Sequence, residues 1–425
     1  MLKLFLLTAV FVIDACSLFV PSDHERLENG THWAVLVAGS NMWINYRHQA
    51  AVSHAYQVIR GRGIPPERII TMMYDDIANN ENNPYPGQIF TDYDHVDRYK
   101  GVVIDYRGEE VNSENFLKVL KGDETLKNNG KKVLESGPDD NVFVFFSDHG
   151  APNLLAFPDD NLYSDQLNNT LAWMHEHQRY KNLLIYIEAC ESGSMFKDVL
   201  PEHMNIYVTT SANPTESGFA CFCEDPKFDV CLGDEYSIAW TKDTELHDLK
   251  KRTVREQFEA IQMDVQMSHP QAYGDKLIEK MTIGDFQGLQ NNELGSRLRV
   301  VDTINSRQAH LVGSLRRMQR SNSPAQTQLG RIEYTYKTQR ASMVQMTFDY
   351  IEKAVEQHEL TTNRTPRNKV ETIECFRTVH EAYAKQCYTL QKVPEVANYL
   401  RKFDHMCATG VDIRSMLKAI STICS

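Results

Sequence analysis

The sequence predicts an open, mostly parallel α/β sheet flanked by helices, followed by an all-α C-terminal part. Three observations predict it. Continuous apolar runs such as VFVFF (Val142–Phe146) and LLIYI (Leu183–Ile187) suit strands buried on both faces of a parallel sheet. Helical patterns alternate with the strand candidates, as βαβ units require. After about residue 290 the strand signals stop and helical periodicity takes over. A chain of 425 residues is long enough for about two or three domains.

Taken in order, the chain opens with MLKLFLLTAVFVIDACS. Lys3, the apolar run Leu4–Ile13 and the small residues Ala15, Cys16 and Ser17 form a secretory signal pattern, with cleavage near Cys16 or Ser17. The run is short of the roughly 20 residues that cross a bilayer, and Asp14 interrupts it. No later stretch is long and apolar enough to span, so the mature protein is expected to be soluble. Strands are predicted at His32–Val37, Ile69–Tyr74, Asn141–Ser147, Leu183–Ala189 and Asn205–Thr210. Helices are predicted at Arg47–Arg60, Ser113–Leu120, Ser164–His177 and Glu191–Leu200. The C-terminal helices are Leu298–Arg320, Ser342–Glu359, Val370–Gln386 and Ile413–Ile423. The polar segment Gln319–Gly330, with Pro324 and Gly330, reads as an exposed linker.

Charge divides the chain. Residues 293–425 hold 20 Lys/Arg and 13 Asp/Glu, a balance of +7, while residues 1–292 carry −19. A basic domain could bind nucleic acid, but a secretory chain argues against it. The better reading is a basic domain sitting on its own acidic partner domain. Of nine cysteines, Cys375, Cys387, Cys407 and Cys424 lie in the last quarter and read as two disulfides, with three pairings open. Cys221, Cys223 and Cys231 cluster, and one further bridge is expected there. Cys190 stands apart as a free thiol. Sequons stand at Asn29, Asn168 and Asn363.

Two strands end alike. LLIYIEACESGS places Glu188 and Cys190 beyond an apolar run, and VFVFFSDHGAPN does the same with Asp148, His149 and Gly150. Ligand sites in open α/β sheets lie beyond the carboxyl ends of the strands. Cys190 and His149 are therefore a candidate nucleophile and base for acyl transfer. Gly150, having no side chain, lets its N–H approach a developing oxyanion beside that of Cys190. The bland alternative is an inert core thiol and a surface imidazole that never meet. The His and Cys spacing fits no metal site, and no cofactor is implied.

The motifs SDHG and YIEACESGS, with VAGSNMWINYRHQA upstream, resemble the legumain family of asparaginyl endopeptidases, in the caspase-like clan of cysteine peptidases. MMYDDIA, NPYPGQI, NVFVFFSDHG, VTTSANPTES and LGDEYS follow in family order. The similarity is strong over roughly residues 30–290. Beyond them it rests on the helical pattern and four cysteines. It implies a caspase-like sheet and helical prodomain, divided as signal peptide 1–17, short N-terminal propeptide 18–29, peptidase domain 30–288, activation peptide 289–322 and prodomain 323–425. Cys190 would be the nucleophile, His149 the general base and acid, Asn45 its orienter and Gly150 part of the oxyanion hole. Arg47, His48, Glu188, Ser217 and Asp234 would form the primary specificity pocket, with Glu188 paired to Arg47. Asp148 is the candidate for a succinimide linked to ligase activity. Cys375–Cys407 and Cys387–Cys424 are the implied disulfides.

The resemblance also implies cleavage after Asn, and after Asp at acid pH. From the charge split, the basic domain would cover the acidic one at neutral pH and let go in acid, and the zymogen would then cut itself at Asn322, just after a basic helix, with Asn305, Asn291 and Asn292 as alternatives. Protein and peptide substrates, its own prodomain and cystatin-type inhibitors would be its partners. It would reside in the secretory pathway and in a lysosomal or acidic endosomal compartment, or be secreted. Some positions depart from the family. Met42 stands where Gly is frequent, Gly218 replaces a second Ser after Ser217, LKGD (Leu120–Asp123) replaces an RGD, and Cys223 and Cys231 are extra. Three other readings compete. A membrane transamidase subunit lacks support because no C-terminal span follows. A caspase-like peptidase of other specificity would lack the mixed pocket. A non-catalytic secreted binding protein would not need Cys190, His149 and Asn45.

Overall fold

The apolar runs become the central strands of the structure, a computed structural model that describes residues 30–290, 299–320, 323–358 and 364–424. The signal and propeptide segments, Asn29, Asn291, Asn292, Asn322 and Asn363 lie outside the described residues. In chain order the strands are β1 (His32–Ala38), β2 (Ile69–Met72), β3 (Asn141–Ser147), β4 (Gly150–Ala151), β5 (Leu154–Ala156) and β6 (Asn161–Tyr163). They continue as β7 (Asn182–Glu188), β8 (Ile206–Thr210), β9 (Phe219–Cys221), β10 (Gly233–Asp234), β11 (Gln271–Gly274) and β12 (Ile304–Asn305). The main sheet has the order β11-β8-β7-β3-β1-β2. It is parallel except for β11, which joins β8 antiparallel at one edge.

Helices α1 (Tyr46–Gly61), α2 (Ser113–Lys121), α3 (Glu124–Asn128), α4 (Ser164–Glu176), α5 (Glu235–Leu246), α6 (Val254–Asp264) and α7 (Gly284–Gln287) surround it. Successive strand residues point to opposite faces, and both faces are covered. Val142, Val144, Leu183 and Ile185 pack with Phe116, Leu120 and Leu171 of α2 and α4. Phe143, Phe145, Leu184 and Tyr186 pack with Tyr56 and Trp240 of α1 and α5.

The C-terminal part is helical: α8 (Ala309–Arg320), α9 (Pro324–His358), α10 (Lys369–Gln386), α11 (Leu400–Ala408) and α12 (Ile413–Ile423). Cys375 is bridged to Cys407 and Cys387 to Cys424. Its core does not stop at its own helices. Val344, Phe348, Phe376, Tyr383 and Phe403 form one cluster with Ala151, Leu154, Ala156 and Tyr163 of the small β4-β5-β6 sheet. Among the described residues no helix is long and apolar enough to cross a membrane.

Three elements differ from expectation. Gln319–Gly330 is not a linker: α8 ends at Arg320 and α9 begins at Pro324. Proline is tolerated in the first helical turn, where its missing N–H has no partner to lose. Gly330 is buried and lies where a Cβ would come within 3.1 Å of the Met318 backbone, so it serves a close helix crossing rather than a turn. Glu191–Leu200 is not an α-helix but a 3-10 turn over Ser192–Met195, because Gly193 packs on Pro214 and the Ser194 hydroxyl accepts from Asn153 N–H. Of the described residues of the expected helix Leu298–Arg320, only Ala309–Arg320 are α-helical, since Ile304–Asn305 is recruited as a strand.

Candidate active site

Register builds the site. Ser147 of β3 pairs with Glu188 of β7, so His149 and Cys190 each lie two residues beyond a matched strand end. Adjacent strands run about 4.8 Å apart, which brings the two segments side by side. Gly150 makes that approach feasible: a Cβ there would lie 2.2 Å from the Cys190 carbonyl oxygen. Both Cys190 and His149 are buried. His149 Nε2 donates to Asn45 Oδ1 at 2.8 Å, and Asn45 Nδ2 donates to the Asn41 carbonyl at 2.9 Å. That assignment leaves Nδ1 as the basic nitrogen. The Cys190 sulfur accepts from Gly218 N–H at 3.3 Å.

Beside the thiol lies a charged pocket. Arg47 Nε donates to Asp234 Oδ1 at 2.8 Å, both side chains being buried. The expected Glu188–Arg47 pairing is thereby corrected. One guanidinium cannot neutralise two carboxylates out of water. Burial, then the Asp234 charge, push Glu188 well above the usual carboxylate range, so it holds its proton. Burial raises Asp234 too, opposed by Arg47. Gly218 now has a reason: a Cβ there would come within 2.9 Å of Glu188 Oε1. Ser217 is half-buried next to it.

Asp148 is buried, and burial holds its carboxyl well above the ordinary range. His48 Nδ1 lies 2.7 Å from Ser40 Oγ and 3.2 Å from Asp148 Oδ1. Burial, then Arg47, keep the His48 imidazole neutral. His48, Asp148 and His149 place one donor atom each within 4.8 Å of one another. Among the described residues they form the group able to approach a metal ion, although His149 Nε2 is already committed to Asn45 and His48 Nδ1 to Ser40.

The C-terminal part reaches into this cleft. β12 pairs antiparallel with β9, Ile304 against Ala220 and Asn305 against Phe219, and Ser306 N–H donates to the Gly218 carbonyl at 3.0 Å. The Ser306 hydroxyl helps hold Asp234 ionised. Arg307 follows, bonded to Glu191 and interacting with the Cys190 sulfur. Arg401 of α11 binds the other Glu191 oxygen at 2.6 Å. No local pattern announces Ser306, Arg307 or Arg401, because their partners lie far away in sequence. Asn305 points elsewhere, its side chain accepting from Arg307 N–H at 3.0 Å.

Remaining expectations fall as follows. Asn168 is buried in α4 and donates to the Ser164 and Met195 carbonyls, so it is not presented for glycosylation. Cys223 bridges Cys231, and Cys221 is a buried free thiol. In LKGD, Gly122 is the left-handed cap of α2, and Asp123 caps α3 by accepting from Thr125 and Leu126 N–H. Met42 has φ 70°, a conformation glycine adopts freely.

A thiol and an imidazole at matched strand ends, beside a pocket of fixed charges, define the class of Cys–His acyl-transfer enzymes. Comparison with known proteins gives the family. The peptidase C13 family model matches residues 32–289, and the legumain prodomain model matches residues 330–424. The chain belongs to the peptidase C13 family and is a cysteine endopeptidase that carries a legumain-type prodomain. It is 43% identical over 404 residues to a hemoglobinase of Schistosoma mansoni, covering 94% of this chain and 93% of that one. It is 50% identical over 266 residues to legumain of Mus musculus, covering 62% and 61% of the two chains. Among solved structures it is similar to caspase-1 from Spodoptera frugiperda at a TM-score of 0.38 and 12% identity, covering 63% of this chain and 94% of that one.

The pocket electrostatics make a contrast. Glu188→Gln replaces a neutral acid by a neutral amide and should cost less than about 1 kcal/mol. Asp234→Asn strips Arg47 of its buried partner and should cost about 3–5 kcal/mol. Urea unfolding of the full-length chain measures both. Equal losses would mean that Glu188 is ionised.

Proposed function

We propose that this chain is the zymogen of an endopeptidase that cleaves after Asn, and after Asp as the pH falls, using Cys190 and His149. The observation that carries the reading is the matched strand-end pair beside a pocket already threaded by the chain's own Ile304–Arg307 segment. Cys190 Sγ attacks the substrate carbonyl as its proton passes to His149 Nδ1. The oxyanion faces backbone N–H groups near Gly150. The tetrahedral intermediate collapses to a thioester, and the leaving amine takes the proton from His149. Water, activated by the same imidazole, then releases the acid. Asn45 keeps the ring oriented through Nε2.

Asn suits the pocket because its amide both donates and accepts. Protonated Glu188 and the neutral Arg47–Asp234 pair offer matching groups without net charge. An ionised Asp would face Asp234, whereas a protonated one resembles Asn. Ligation is a side reaction of the same thioester, with an amine in place of water. The carboxyl of Asp148 accepts from the backbone N–H of His149, the atom that would close a succinimide with loss of water.

Latency follows from the cover. Ser306 occupies the place of the residue before a scissile bond, in the antiparallel direction a substrate strand takes at a sheet edge, yet it lacks the amide. Burial beneath the cover raises the Cys190 thiol and holds the His149 imidazole well below its usual range. The dyad is therefore neutral. The three disulfides suit an oxidising compartment, and we place the protein in the secretory pathway, destined for an acidic compartment or for secretion. Residues 30–288 then form the peptidase part, with the activation peptide and prodomain beyond.

Acid release is driven by buried imidazole rather than by Glu191. Burial raises Glu191, so its protonation is easier in the closed form and favours closure. His380 acts the other way. It is buried in α10 with Nδ1 2.8 Å from the Tyr163 hydroxyl, while Nε2 has no hydrogen-bond partner. Burial lowers its pKa from 6.5 to about 4. A released or unfolded chain takes up that proton below 6.5 and the closed chain does not until about 4. Stability of the closed form is complete above 6.5 and falls as pH drops through this window.

Cys190→Ala should abolish hydrolysis of Asn peptides without unfolding the chain, and after acid activation the wild type should cut Asn peptides at neutral pH and Asp peptides only on acidification. Mass spectrometry of a peptide library checks this. Residual cleavage by Cys190→Ala near the wild-type rate would sink the assignment.

Ser306→Asn should turn the resident segment into a substrate. Acidified full-length protein should then yield a fragment beginning at Arg307, absent when Cys190 is also replaced. An intact bond after residue 306 would show that the segment does not lie in the substrate register.

His380→Asn, made with Cys190→Ala to prevent self-cleavage, should flatten the loss of stability between pH 6.5 and 4. The difference should be on the order of 3 kcal/mol across the window. Denaturant titrations at several pH values measure it, and an unchanged slope would remove His380 from the switch.

A further inference from the structure

Helix α9 carries two apolar faces. One is buried through Val344, Phe348, Ile351 and Val355. The other is Leu329, Ile332, Tyr336, Met343, Met346 and Tyr350, exposed by 65, 56, 61, 51, 49 and 55%. Their spacing of three, four, seven, three and four residues is that of a coiled-coil seam with one polar position, the exposed Gln339. On a straight helix the two faces lie roughly a third of a turn apart, so the seam is not the flank of the core. Together these side chains expose roughly 700–800 Å², more than the largest apolar patch of a typical monomer and close to one partner's share of a standard interface.

We propose that the full-length chain pairs with a second copy of itself through this seam, antiparallel. The stripe is self-complementary under a two-fold axis. Placing the axis near residue 341 sets Ile332 against Tyr350 of the other copy, Tyr336 against Met346, and Gln339 against Met343. An isologous contact requires such a palindrome, and a heterologous partner does not. Along the edges Thr335, Ser342 and Thr347 are uncharged, and the charged Glu333, Arg340 and Asp349 are each already paired within their own copy, with Arg317 and Lys337, with Glu395 and with Lys402. An apolar seam also predicts a pair that resists salt, unlike a contact built from the opposite charges of the chain's two halves.

Sedimentation of the full-length Cys190→Ala chain at neutral pH tests this. A concentration-dependent dimer that survives about 0.5 M salt is expected. Ile332→Glu and Met343→Glu should each give monomer with an unchanged melting curve, whereas Gln345→Glu, on another exposed face, should leave the dimer intact. Gln339→Cys should cross-link to its own copy on mild oxidation and Gln345→Cys should not. A monomer at tens of micromolar, or a dimer indifferent to Ile332→Glu and Met343→Glu, would overturn the proposal. In the first case the seam is covered by another segment of the chain or by a different partner.

Discussion

The parallel register that sets Ser147 beside Glu188 is the constraint on which the site depends. Parallel pairing puts both carboxyl ends at one edge, and the register puts the same step beyond each end side by side. A slip of one residue would turn every side chain of a strand to the other face, and both faces here are packed. The core therefore enforces the alignment of Cys190 with His149. Gly150 and Gly218 then admit the close contacts that alignment creates, one against the Cys190 carbonyl and the other against Glu188. Position 218 is thus better understood as room for a protonated acid than as the loss of a serine.

Scarcity of cations sets the electrostatics. Glu188, Asp234 and Asp148 are all buried, and Arg47 is the guanidinium shared by their surroundings. It bonds Asp234, so the others relieve the cost of burial by keeping their protons. Cys190 and His149 obey the same rule, burial raising the thiol and lowering the imidazole. The cover consequently does two things at once. It pairs with β9 and Gly218 at the cleft, and on the proposed reading it also keeps Cys190 and His149 from the water that would let charge separate. Arg307 works against the second effect by favouring thiolate, but burial is the larger influence.

Much of this was legible because the central strands are buried on both faces and announce themselves as unbroken apolar runs. The strand-end motifs singled out Cys190 and His149 as a candidate pair, and the register of β3 and β7 sets each two residues beyond a matched strand end. Helix α5 was invisible for the opposite reason. Glu235, Ser237, Thr241, Asp243, Thr244 and Glu245 are polar yet buried, so it has no amphipathic period to detect. The linker expectation failed because Pro324 and Gly330 carry the same letters at a helix start and a helix crossing as in a turn. The sequence named the charged residues near Cys190, but not how they pair. Which carboxylate Arg47 chooses is a matter of three-dimensional contact. The bonds from Arg307 and Arg401 to Glu191 bring together residues 116 and 210 positions apart, and no local signal encodes them.

Met42 ties local strain to the site. Its φ of 70° and ψ of 147° fall in a region that costs a side-chain-bearing residue of order 1–3 kcal/mol. Such a conformation persists only where neighbours over-determine it. Here Met42 N–H donates to Asp76 Oδ2 at 2.6 Å, and Met42 O accepts from Asn45 N–H at 3.0 Å, opening the short helix Trp43–Asn45. That helix delivers Asn45 to the start of α1 and its side chain to His149. Gln49, one turn on, holds Asp76 from the other side by donating to Oδ1 at 2.6 Å. The strained residue is therefore clamped at both ends by groups that also fix the orienter of the imidazole. A glycine would adopt the same backbone without strain but with more freedom in the unfolded chain. Methionine keeps this backbone only because those hydrogen bonds over-determine it, and its side chain remains 38% exposed.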